Sequence, residues 1–544
     1  MPTHKSTALP AGDYPLLIKQ LLLTPLAQAP DQEIVYRDLT RYTYRTLRER
    51  IGRLASGLAG LGVEHGDMVA ILDWDSHRYL ECFFGVPMMG ATLQTVNVRL
   101  SPQQIQYTLE QTEPTVLLVH DDFGGLVEDM LACLPSVRHI VVLSDEAEPT
   151  ASTYETLLAN ADPDYSFPDF DENTRATLFF TSGTTGLPKG VFYSHRQLVL
   201  HTLAVTAAFA MPREQGRFHR GDVYMPITPM FHVHAWGMPY VATMMGVKQV
   251  YPGRYTPDGL LALRTREGVT FSHCVPTILR MLLDEAETSR TDLNGWKVVV
   301  GGASFPSSLA RVALGRGMDV FAGYGMSETC PFVVSAQVET DEMQSDTDPV
   351  LSARVAAGRA IPLVDVQIVD EHMKPIGQGD DRPGEVVLRA PWLTAGYFRN
   401  ESASAELWRG GYLHTGDIGT IDRSGYLRIT DRLKDVIKTG GEWLSSSALE
   451  ELICRQPHVK EAAVIGIPDS RWGERPAAFV VAVPHAAHAL TAQVVTEHLR
   501  AFVSSGEIPK YALPEKIYFV DSLPRTSVGK YNKKLMRDQF LTAV

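Results

Sequence analysis

The stretch TLFFTSGTTGLPKG, residues 177–190, joins a short apolar run to a loop of glycines, hydroxyl residues and one lysine. The apolar run predicts a buried strand, because a glycine-rich segment ends it at once. In the loop, glycines let the backbone approach a ligand closely, and Ser182, Thr184 and Thr185 offer hydroxyl donors. Lys189 adds a positive point charge. Together these features are typical of a cradle for a polyphosphate.

The loop is not a Walker A motif, because G-x-x-x-x-G-K-[ST] is not matched here or elsewhere in the chain. A kinase or a P-loop ATPase is therefore disfavoured. Composition alone also allows a flexible polar surface loop at this place, because such loops are common.

Around this loop, strand-like runs alternate with helical patterns. Apolar residues recur at helical spacing over 47–61, and buried strands are predicted at 68–72, 116–119, 140–143 and 296–300. Strands that alternate with helices indicate βαβ units and mostly parallel sheets. We predict an α/β fold whose large N-terminal domain holds several sheets built mostly from parallel βα units.

The pattern changes at DRLKDVIKTGG, residues 431–441, where charges and two glycines interrupt the apolar runs. A helix is predicted beyond this point near 446–455 and another near 494–502. The predicted strands of this region are 462–467, 477–483 and 516–520. This order fits a compact α+β unit. We predict an N-terminal domain over 1–431 and a small mobile lid domain over 432–544.

Composition limits the class of protein. The 544 residues are 44% hydrophobic and 21% charged, as in soluble globular proteins, and the length calls for more than one domain. A net charge of −13 argues against nucleic acid as a partner. The five cysteines form no C-x-x-C pair, and we find neither a signal peptide nor a membrane span. We expect a cytoplasmic enzyme without an integral membrane segment.

Five further motifs make the chain resemble a known family. In chain order with TSGTTGLPKG stand GGAS (301–304), GYGMSET (323–329), YLHTGD (412–417), DRLKDVIKTGGE (431–442) and PRTSVGK (524–530). This set resembles the adenylate-forming superfamily of acyl-CoA synthetases, luciferases and adenylation domains. MFHVHAWGMPY (230–240) and GGEWLSS (440–446) look most like medium- and long-chain fatty acyl-CoA synthetases.

The resemblance implies a site for ATP and Mg²⁺. The residues it assigns to the nucleotide are Thr181, Ser182, Gly183, Thr184, Thr185, Gly186, Lys189, Gly302, Ala303, Ser304, Gly323, Tyr324, Gly325, Met326, Thr329, Asp417, Arg432 and Lys530. Glu328 and Thr184 are the implied metal ligands, and a hard carboxylate is what Mg²⁺ prefers.

Several of these residues have individual roles in the resemblance. Tyr324 is expected to stack on adenine, and Thr329 to donate to the α-phosphate. Asp417, an acceptor-only group, is expected to hold the ribose hydroxyls together with Arg432. Lys530 is expected to bridge the substrate carboxylate and the α-phosphate in the transition state. Read one by one, Tyr324 could be a core aromatic and Asp417–Arg432 an ordinary ion pair.

The resemblance also implies sites for the acid and for coenzyme A. The implied acyl-binding residues are His232, Val233, Trp236, Gly323 and Pro331. The implied CoA-binding residues are Lys438, Gly440, Gly441 and Trp443, and Lys434 is the implied hinge. His232 and His234 form an H-x-H pair, but no third ligand follows at a suitable spacing, so a metal site is disfavoured. Both tryptophans could equally be core residues.

These observations predict an ATP-dependent acyl-CoA ligase that activates a medium- or long-chain fatty acid through an acyl-adenylate. The implied catalytic set is Lys530, Thr184, Glu328, His232 and Lys438. Alternatives are a ligase for a short thioether acid such as methylmercaptopropionate or for an aryl acid, an enzyme with another acyl acceptor, and a non-catalytic nucleotide-binding paralogue. By analogy with related synthetases we expect a homodimer.

Overall fold

The computed structural model of the protein describes residues 12, 14–145, 153–181, 187–338, 347–440, 442–483, 489–526 and 531–543. Several predicted site residues lie outside these ranges: Ser182, Gly183, Thr184, Thr185, Gly186, Gly441 and Lys530. Within the described ranges, no helix has the length and apolar character that crossing a membrane requires.

The strands and helices follow in chain order. The strands are β1 (Glu33–Tyr36), β2 (Thr40–Thr43), β3 (Met68–Leu72), β4 (Thr92–Thr95), β5 (Val116–His120), β6 (His139–Leu143), β7 (Arg175–Phe180), β8 (Gly190–Ser194), β9 (Val223–Pro226), β10 (Lys248–Tyr251), β11 (Phe271–Cys274), β12 (Lys297–Gly301), β13 (Asp319–Gly325), β14 (Phe332–Ser335), β15 (Arg359–Ala360), β16 (Asp365–Val369), β17 (Pro375–Ile376), β18 (Gly384–Arg389), β19 (Leu413–Ile421), β20 (Leu427–Arg432), β21 (Ile437–Thr439), β22 (Glu442–Leu444), β23 (Val459–Asp469), β24 (Gly473–Ala482) and β25 (Lys516–Phe519). The helices are α1 (Leu23–Gln28), α2 (Tyr44–Gly60), α3 (His77–Met88), α4 (Pro102–Thr112), α5 (Gly124–Met130), α6 (Tyr154–Ala159), α7 (His195–Ala210), α8 (Val233–Trp236), α9 (Met238–Met245), α10 (Pro257–Glu267), α11 (Pro276–Ser289), α12 (Ser307–Gly315), α13 (Asp348–Val355), α14 (Glu401–Leu407), α15 (Ser446–Cys454), α16 (Ala492–Ser504) and α17 (Lys533–Ala543).

Two of the sheets confirm the predicted α/β architecture. The described strands of the first are ordered β15-β14-β13-β12-β11-β9-β10-β1-β2, and the run from β13 to β1 is parallel throughout. The second is ordered β6-β5-β3-β4-β7-β8, parallel except for the β7–β8 hairpin. Helices connect most of the parallel strands, so both sheets are largely buried.

A third sheet was not anticipated from the sequence. Strands β17-β16-β18-β19-β20 pair antiparallel at every step, over residues 365–432. Antiparallel neighbours can follow one another closely in the chain and need no crossover helix, so the alternation of strand and helix is lost here. The prediction that the N-terminal sheets are built mostly from parallel βα units holds for the two larger sheets, and residues 365–432 add an antiparallel one.

Two predicted elements, α2 and β3, show how local sequence sets a boundary. Helix α2 begins after Thr43, whose side chain accepts from the Thr46 N–H, and its residues Leu47, Ile51 and Leu54 are fully buried. Burying such a side chain contributes ~1.5–3 kcal/mol each. Strand β3 coincides with the predicted 68–72, and all of its residues are buried.

The C-terminal region has cores of its own. Strands β21 to β25 form one sheet, with α15 and α16 packed on it around an apolar cluster that runs from Ile437 to Ala512. The large cluster of the N-terminal region extends no further than Ile429 among the described residues. The apolar core therefore changes between Ile429 and Ile437. The predicted boundary at 431/432 lies between these two residues.

Candidate active site

The GYGMSET motif lies at the carboxyl end of β13, where the chain turns back on itself. A side chain at Gly325 would overlap the Pro331 carbonyl oxygen, so only glycine fits. Glu328 then lies in a single 3-10 turn, Ser327–Thr329, and is 6% exposed. The Tyr193 hydroxyl donates to the Ser327 carbonyl at 2.6 Å and holds this turn in place.

Three predicted nucleotide residues from different motifs meet beside this turn. The Tyr324 hydroxyl donates to Asp417 Oδ2 at 2.7 Å. Asp417 and Arg432 face each other across β19 and β20, with Arg432 Nε 3.2 Å from Asp417 Oδ1. Burial first, and then the Asp417 carboxylate, hold the pKa of the Tyr324 phenol well above its usual value. The neighbouring Asp417 carboxylate raises the pKa of Arg432.

The cluster therefore presents a charged carboxylate between a phenol donor and a guanidinium. A carboxylate offers about four lone-pair sites, so Asp417 can accept from a diol as well as from these two partners. Arg432 is 45% exposed, so the pair by itself adds little to stability. The sequence prediction that Asp417 and Arg432 act together is consistent with this contact, and their ligand remains a prediction.

The predicted phosphate loop lies between β7 and β8 in the chain, and the described residues at its two ends pair with each other. The Thr181 N–H donates to the Lys189 carbonyl at 2.9 Å, and the Lys189 N–H donates to Thr181 Oγ1 at 3.3 Å. The Lys189 ammonium lies 4.7 Å from the centroid of the Tyr397 ring. The Tyr397 hydroxyl in turn donates to Glu328 Oε1 at 2.7 Å. The loop lysine and the predicted metal ligand thus share one neighbour.

Glu328 has the chemistry that Mg²⁺ requires. It is a buried hard carboxylate, and Mg²⁺ at phosphate sites commonly takes one or two carboxylates together with substrate oxygens and water. Within the described ranges, no group of three or more His, Cys, Asp or Glu side chains is placed to hold a metal. The donor set therefore fits an ion shared with a bound polyphosphate.

Thr329 is placed differently from what a phosphate donor needs. It is fully buried, and its hydroxyl accepts from the Met326 N–H at 2.9 Å and contacts the carbonyls of Met326 and Pro331. Donation to an α-phosphate would require this hydroxyl to give up a partner inside the turn. Ala303 and Ser304 are exposed after β12, and Gly302 is half-exposed.

A cavity lies beside Gly302. Its lining residues are Arg99, Ile227, Thr228, Pro229, His232, Trp236, Tyr255, Val275, Thr277, Ile278 and Gly302. Of the predicted acyl-binding residues, His232 and Trp236 are in this wall. Val233, Gly323 and Pro331 are not among its lining residues, and Val233 is buried in the core.

Apart from Gly302, which was predicted to bind the nucleotide, the other lining residues were missed, although a signal for them exists. Thr228, Tyr255, Val275 and Gly302 each follow the carboxyl end of a strand, namely β9, β10, β11 and β12, which are neighbours in the nine-stranded sheet. In α/β sheets, ligands bind outside the carboxyl ends of the strands. Comparing the residues that follow neighbouring strands, and not single motifs, would have identified this cavity wall.

The short element α8, Val233–Trp236, is a single left-handed turn. All four residues have positive φ, between 47° and 60°. His234 is fully buried among the rings of Phe83, Phe179, Tyr193 and Tyr240, and burial lowers its pKa to about 3. Trp236 stacks on His273 with ring centroids 5.1 Å apart. The turn thus sends His234 into the core and Trp236 to the cavity wall.

The described members of the predicted hinge and CoA set, Lys434, Lys438, Gly440 and Trp443, lie in the C-terminal region. The Lys434 carbonyl accepts from Arg537 Nη2 at 3.3 Å, and burial lowers the pKa of Lys434. Lys438 lies in β21, where it pairs with Trp443 of β22, and its N–H donates to Glu474. Gly440 has φ of 61° and its N–H donates to the Trp472 carbonyl at 2.8 Å. The roles assigned to these residues remain predictions.

Comparison with known proteins shows which family the chain belongs to. Residues 24–398 match the family profile described as AMP-binding enzyme. The chain belongs to this family. Residues 448–530 match a second profile, the AMP-binding enzyme C-terminal domain.

Relatives of the AMP-binding enzyme family cover nearly the whole chain. The long-chain-fatty-acid–CoA ligase of Thermus thermophilus is 41% identical over 516 residues, 94% of this chain and 93% of that protein. The 3-methylmercaptopropionyl-CoA ligase of Ruegeria lacuscaerulensis is 34% identical over 546 residues, 97% of this chain and 98% of that one. The crystal structure of the anthranilate CoA ligase AuaEII in complex with anthranoyl-AMP has a TM-score of 0.84 at 25% identity and covers 98% of this chain and 100% of that one. The predicted family and fold are confirmed.

Proposed function

We propose that this protein is an ATP-dependent acyl-CoA ligase that activates a medium- or long-chain fatty acid as an acyl-adenylate and transfers the acyl group to CoA. One observation carries the proposal. Gly302 lines the cavity, and its neighbour Gly301 pairs with Gly323, next to Tyr324 in the Asp417 cluster. We therefore expect the carboxylate of an acid bound in this cavity to lie beside the predicted nucleotide-binding residues.

The reaction needs ATP, Mg²⁺ and CoA. A carboxylate oxygen attacks the α-phosphorus, the bond to pyrophosphate breaks, and an acyl-AMP anhydride forms. The CoA thiolate then attacks the acyl carbonyl and AMP leaves. Positioning and charge stabilisation supply most of the catalysis in such transfers. Glu328 would hold Mg²⁺, which would supply positive charge beside the phosphates, and Lys189 would supply a second positive charge there.

The lid is expected to serve both half-reactions. Rotation at Lys434 changes which lid residues face the site, and a few backbone dihedrals suffice for such a motion. The boundary at 431/432 is part of this proposal, and the change of core between Ile429 and Ile437 supports it. Lys438, Gly440, Gly441 and Trp443 would serve CoA, and Lys530 the adenylation step.

The apolar part of the cavity wall supports a fatty acid as the substrate. Ile227, Val275, Ile278 and Trp236 supply apolar surface that suits an aliphatic tail. The relative from Thermus thermophilus, named a long-chain-fatty-acid–CoA ligase, supports a fatty acid. A second candidate is 3-methylmercaptopropionate, which the relative from Ruegeria lacuscaerulensis supports through its name.

Helix α7 supports the proposed homodimer. Leu203 and Met211 are 46% and 59% exposed, and with Leu200 and Ala207 they form one apolar stripe at helical spacing. A second copy of the chain could cover this stripe. The proposed compartment is the cytoplasm, because all five cysteines are free, as expected under reducing conditions.

A pyrophosphate-release assay over straight-chain acids from C2 to C18, with and without CoA, tests the proposal. We expect CoA-dependent turnover that peaks at one chain length. A peak only with 3-methylmercaptopropionate would favour the second candidate. Pyrophosphate release that CoA does not accelerate would mean that the enzyme uses another acyl acceptor. No pyrophosphate release with ATP and any of the acids would contradict the proposal that the protein is an acyl-CoA ligase.

A further inference from the structure

The segment 394–398 ties the phosphate loop to the Glu328 turn. The Thr394 N–H donates to the Glu328 carbonyl at 3.0 Å, and the Phe398 N–H donates to the Gly190 carbonyl at 2.8 Å. Between them, Tyr397 forms a backbone bridge with Val191 of β8. The backbone of this segment therefore holds a fixed distance between the end of the loop and the turn.

The side chain of Tyr397 contacts a charged group of each motif. Its hydroxyl donates to Glu328 Oε1 at 2.7 Å, and its ring face meets the Lys189 ammonium at 4.7 Å. Tyr397 is half-buried, whereas Lys189 is exposed, so the ring restricts a side chain that otherwise extends into solvent.

We propose that Tyr397 is a positioning residue of the metal–polyphosphate site: its hydroxyl orients the Glu328 carboxylate for a divalent cation, and its ring orients Lys189 toward the phosphates. The inference rests on the proposed function and assigns a new residue to it. Tyr397 belongs to none of the motifs that carry the family resemblance.

Two physical effects support this assignment. Carboxylates that bind metals are usually fixed by hydrogen bonds, and loss of such a partner typically costs about 10–100-fold in metal affinity or activity. A carboxylate has about four lone-pair sites, so the bond to Tyr397 leaves room for a cation. A cation over an aromatic face is attracted by the ring, which restricts a long flexible lysine without removing its charge.

A simpler interpretation is that Tyr397 only packs the segment in place. The chain offers a matched control for it. Tyr42 also donates its hydroxyl to a carboxylate, Glu81 Oε1, at 2.8 Å, and a cation, Arg50, lies 5.7 Å from the centroid of its ring. Tyr42 lies in β2 and Glu81 in α3, and neither is a predicted site residue. Tyr42→Phe therefore removes a comparable hydrogen bond from a tyrosine to a carboxylate, at a position outside the predicted site.

The test measures equilibrium binding of Mn²⁺ by electron paramagnetic resonance, in the presence of α,β-methylene-ATP, whose methylene bridge prevents release of pyrophosphate and so prevents transfer of AMP to an acid. For Tyr397→Phe we expect Mn²⁺ to bind about 10-fold more weakly than to the wild type, with an unchanged KM for the acid. Tyr42→Phe should bind Mn²⁺ within about twofold of the wild type. Equal affinity in the wild type and Tyr397→Phe, or equal losses in both variants, would overturn the role of the hydroxyl.

Tyr397→Leu tests the ring. It should raise the KM for ATP about threefold beyond Tyr397→Phe, because the lysine loses its support as well. Equal KM values in these two variants would overturn the Lys189 part of the inference. A wild type that binds Mn²⁺ and the analogue but releases no pyrophosphate with any acid contradicts the proposed function alone, and a wild type that binds no Mn²⁺ contradicts both.

Discussion

Asp417→Asn is expected to weaken ATP binding strongly while it leaves the fold intact. The change keeps the shape of the side chain and removes its charge at a position that is 5% exposed. Hydrogen bonds to a charged group contribute roughly 1.5–3 kcal/mol, against about 1 kcal/mol for neutral pairs. If two ribose hydroxyls donate to Asp417, the loss is ~2 kcal/mol, which corresponds to a KM for ATP about 30-fold higher.

The cost to stability is smaller. The partner Arg432 is nearly half exposed, so the ion pair contributes at most ~1 kcal/mol. The bond from the Tyr324 hydroxyl weakens by a similar amount, about 1 kcal/mol, because its acceptor becomes neutral. We therefore expect the free energy of unfolding to fall by ~1–2 kcal/mol, a loss that most folded proteins tolerate.

Steady-state pyrophosphate release with varied ATP and with varied acid measures the effect. The KM for ATP should rise and the KM for the acid should stay within about twofold, because Asp417 does not line the cavity. Tyr324→Phe is the control within the cluster: it removes one donor but keeps the carboxylate, so its KM for ATP should change by less than about 5-fold. An Asp417→Asn enzyme whose KM for ATP lies within about threefold of the wild type would refute the ribose role.

Three further changes address the hinge, the CoA step and the cavity. Lys434→Pro restricts the backbone dihedral of the predicted hinge. Adenylation, measured by single-turnover pyrophosphate release, should persist, whereas thioester formation from supplied acyl-AMP should fail. Normal thioester formation would show that Lys434 is not the hinge. Gly440→Ala should raise the KM for CoA with little effect on pyrophosphate release, because a Cβ there stands 3.1 Å from the Trp472 ring. Gly506→Ala, at a φ of 79° in open space on the same lid, carries the same backbone strain and should not change the KM for CoA. Ile278→Trp fills the cavity and should shorten the longest acid accepted in the chain-length assay, whereas Met281→Trp, at an exposed position of the same helix, should leave the profile unchanged.

Much of the fold was predictable because its signals are local. The run at 68–72 is apolar at every position, as a strand buried on both faces requires, and β3 has those bounds. Thr43 precedes an apolar helical pattern, and it caps α2. In the lid, the strand predicted at 516–520 is β25 (Lys516–Phe519), and the helix predicted at 446–455 is α15. Such elements depend on residues next to one another in the chain.

The site could be predicted only in part. Motif order placed Tyr324, Asp417 and Arg432 in one site, and the structure brings these three together. The wall of the cavity was mostly missed, because residues such as Tyr255 and Val275 belong to no motif and meet only through the order of the parallel strands. The hydroxyl of Thr329 was expected at a phosphate, and the sequence could not reveal its partners inside the turn.

By itself, then, the sequence determined the local elements, the family and the chemical types of the site residues, since each of these is written in neighbouring residues. Only the tertiary structure decided that residues 365–432 form an antiparallel sheet, that the turn at Val233–Trp236 is left-handed, and that Tyr397 joins Lys189 to Glu328. These features depend on contacts between residues as far apart as 189 and 397. Such contacts depend on how the sheets pack and leave no periodic trace in the chain.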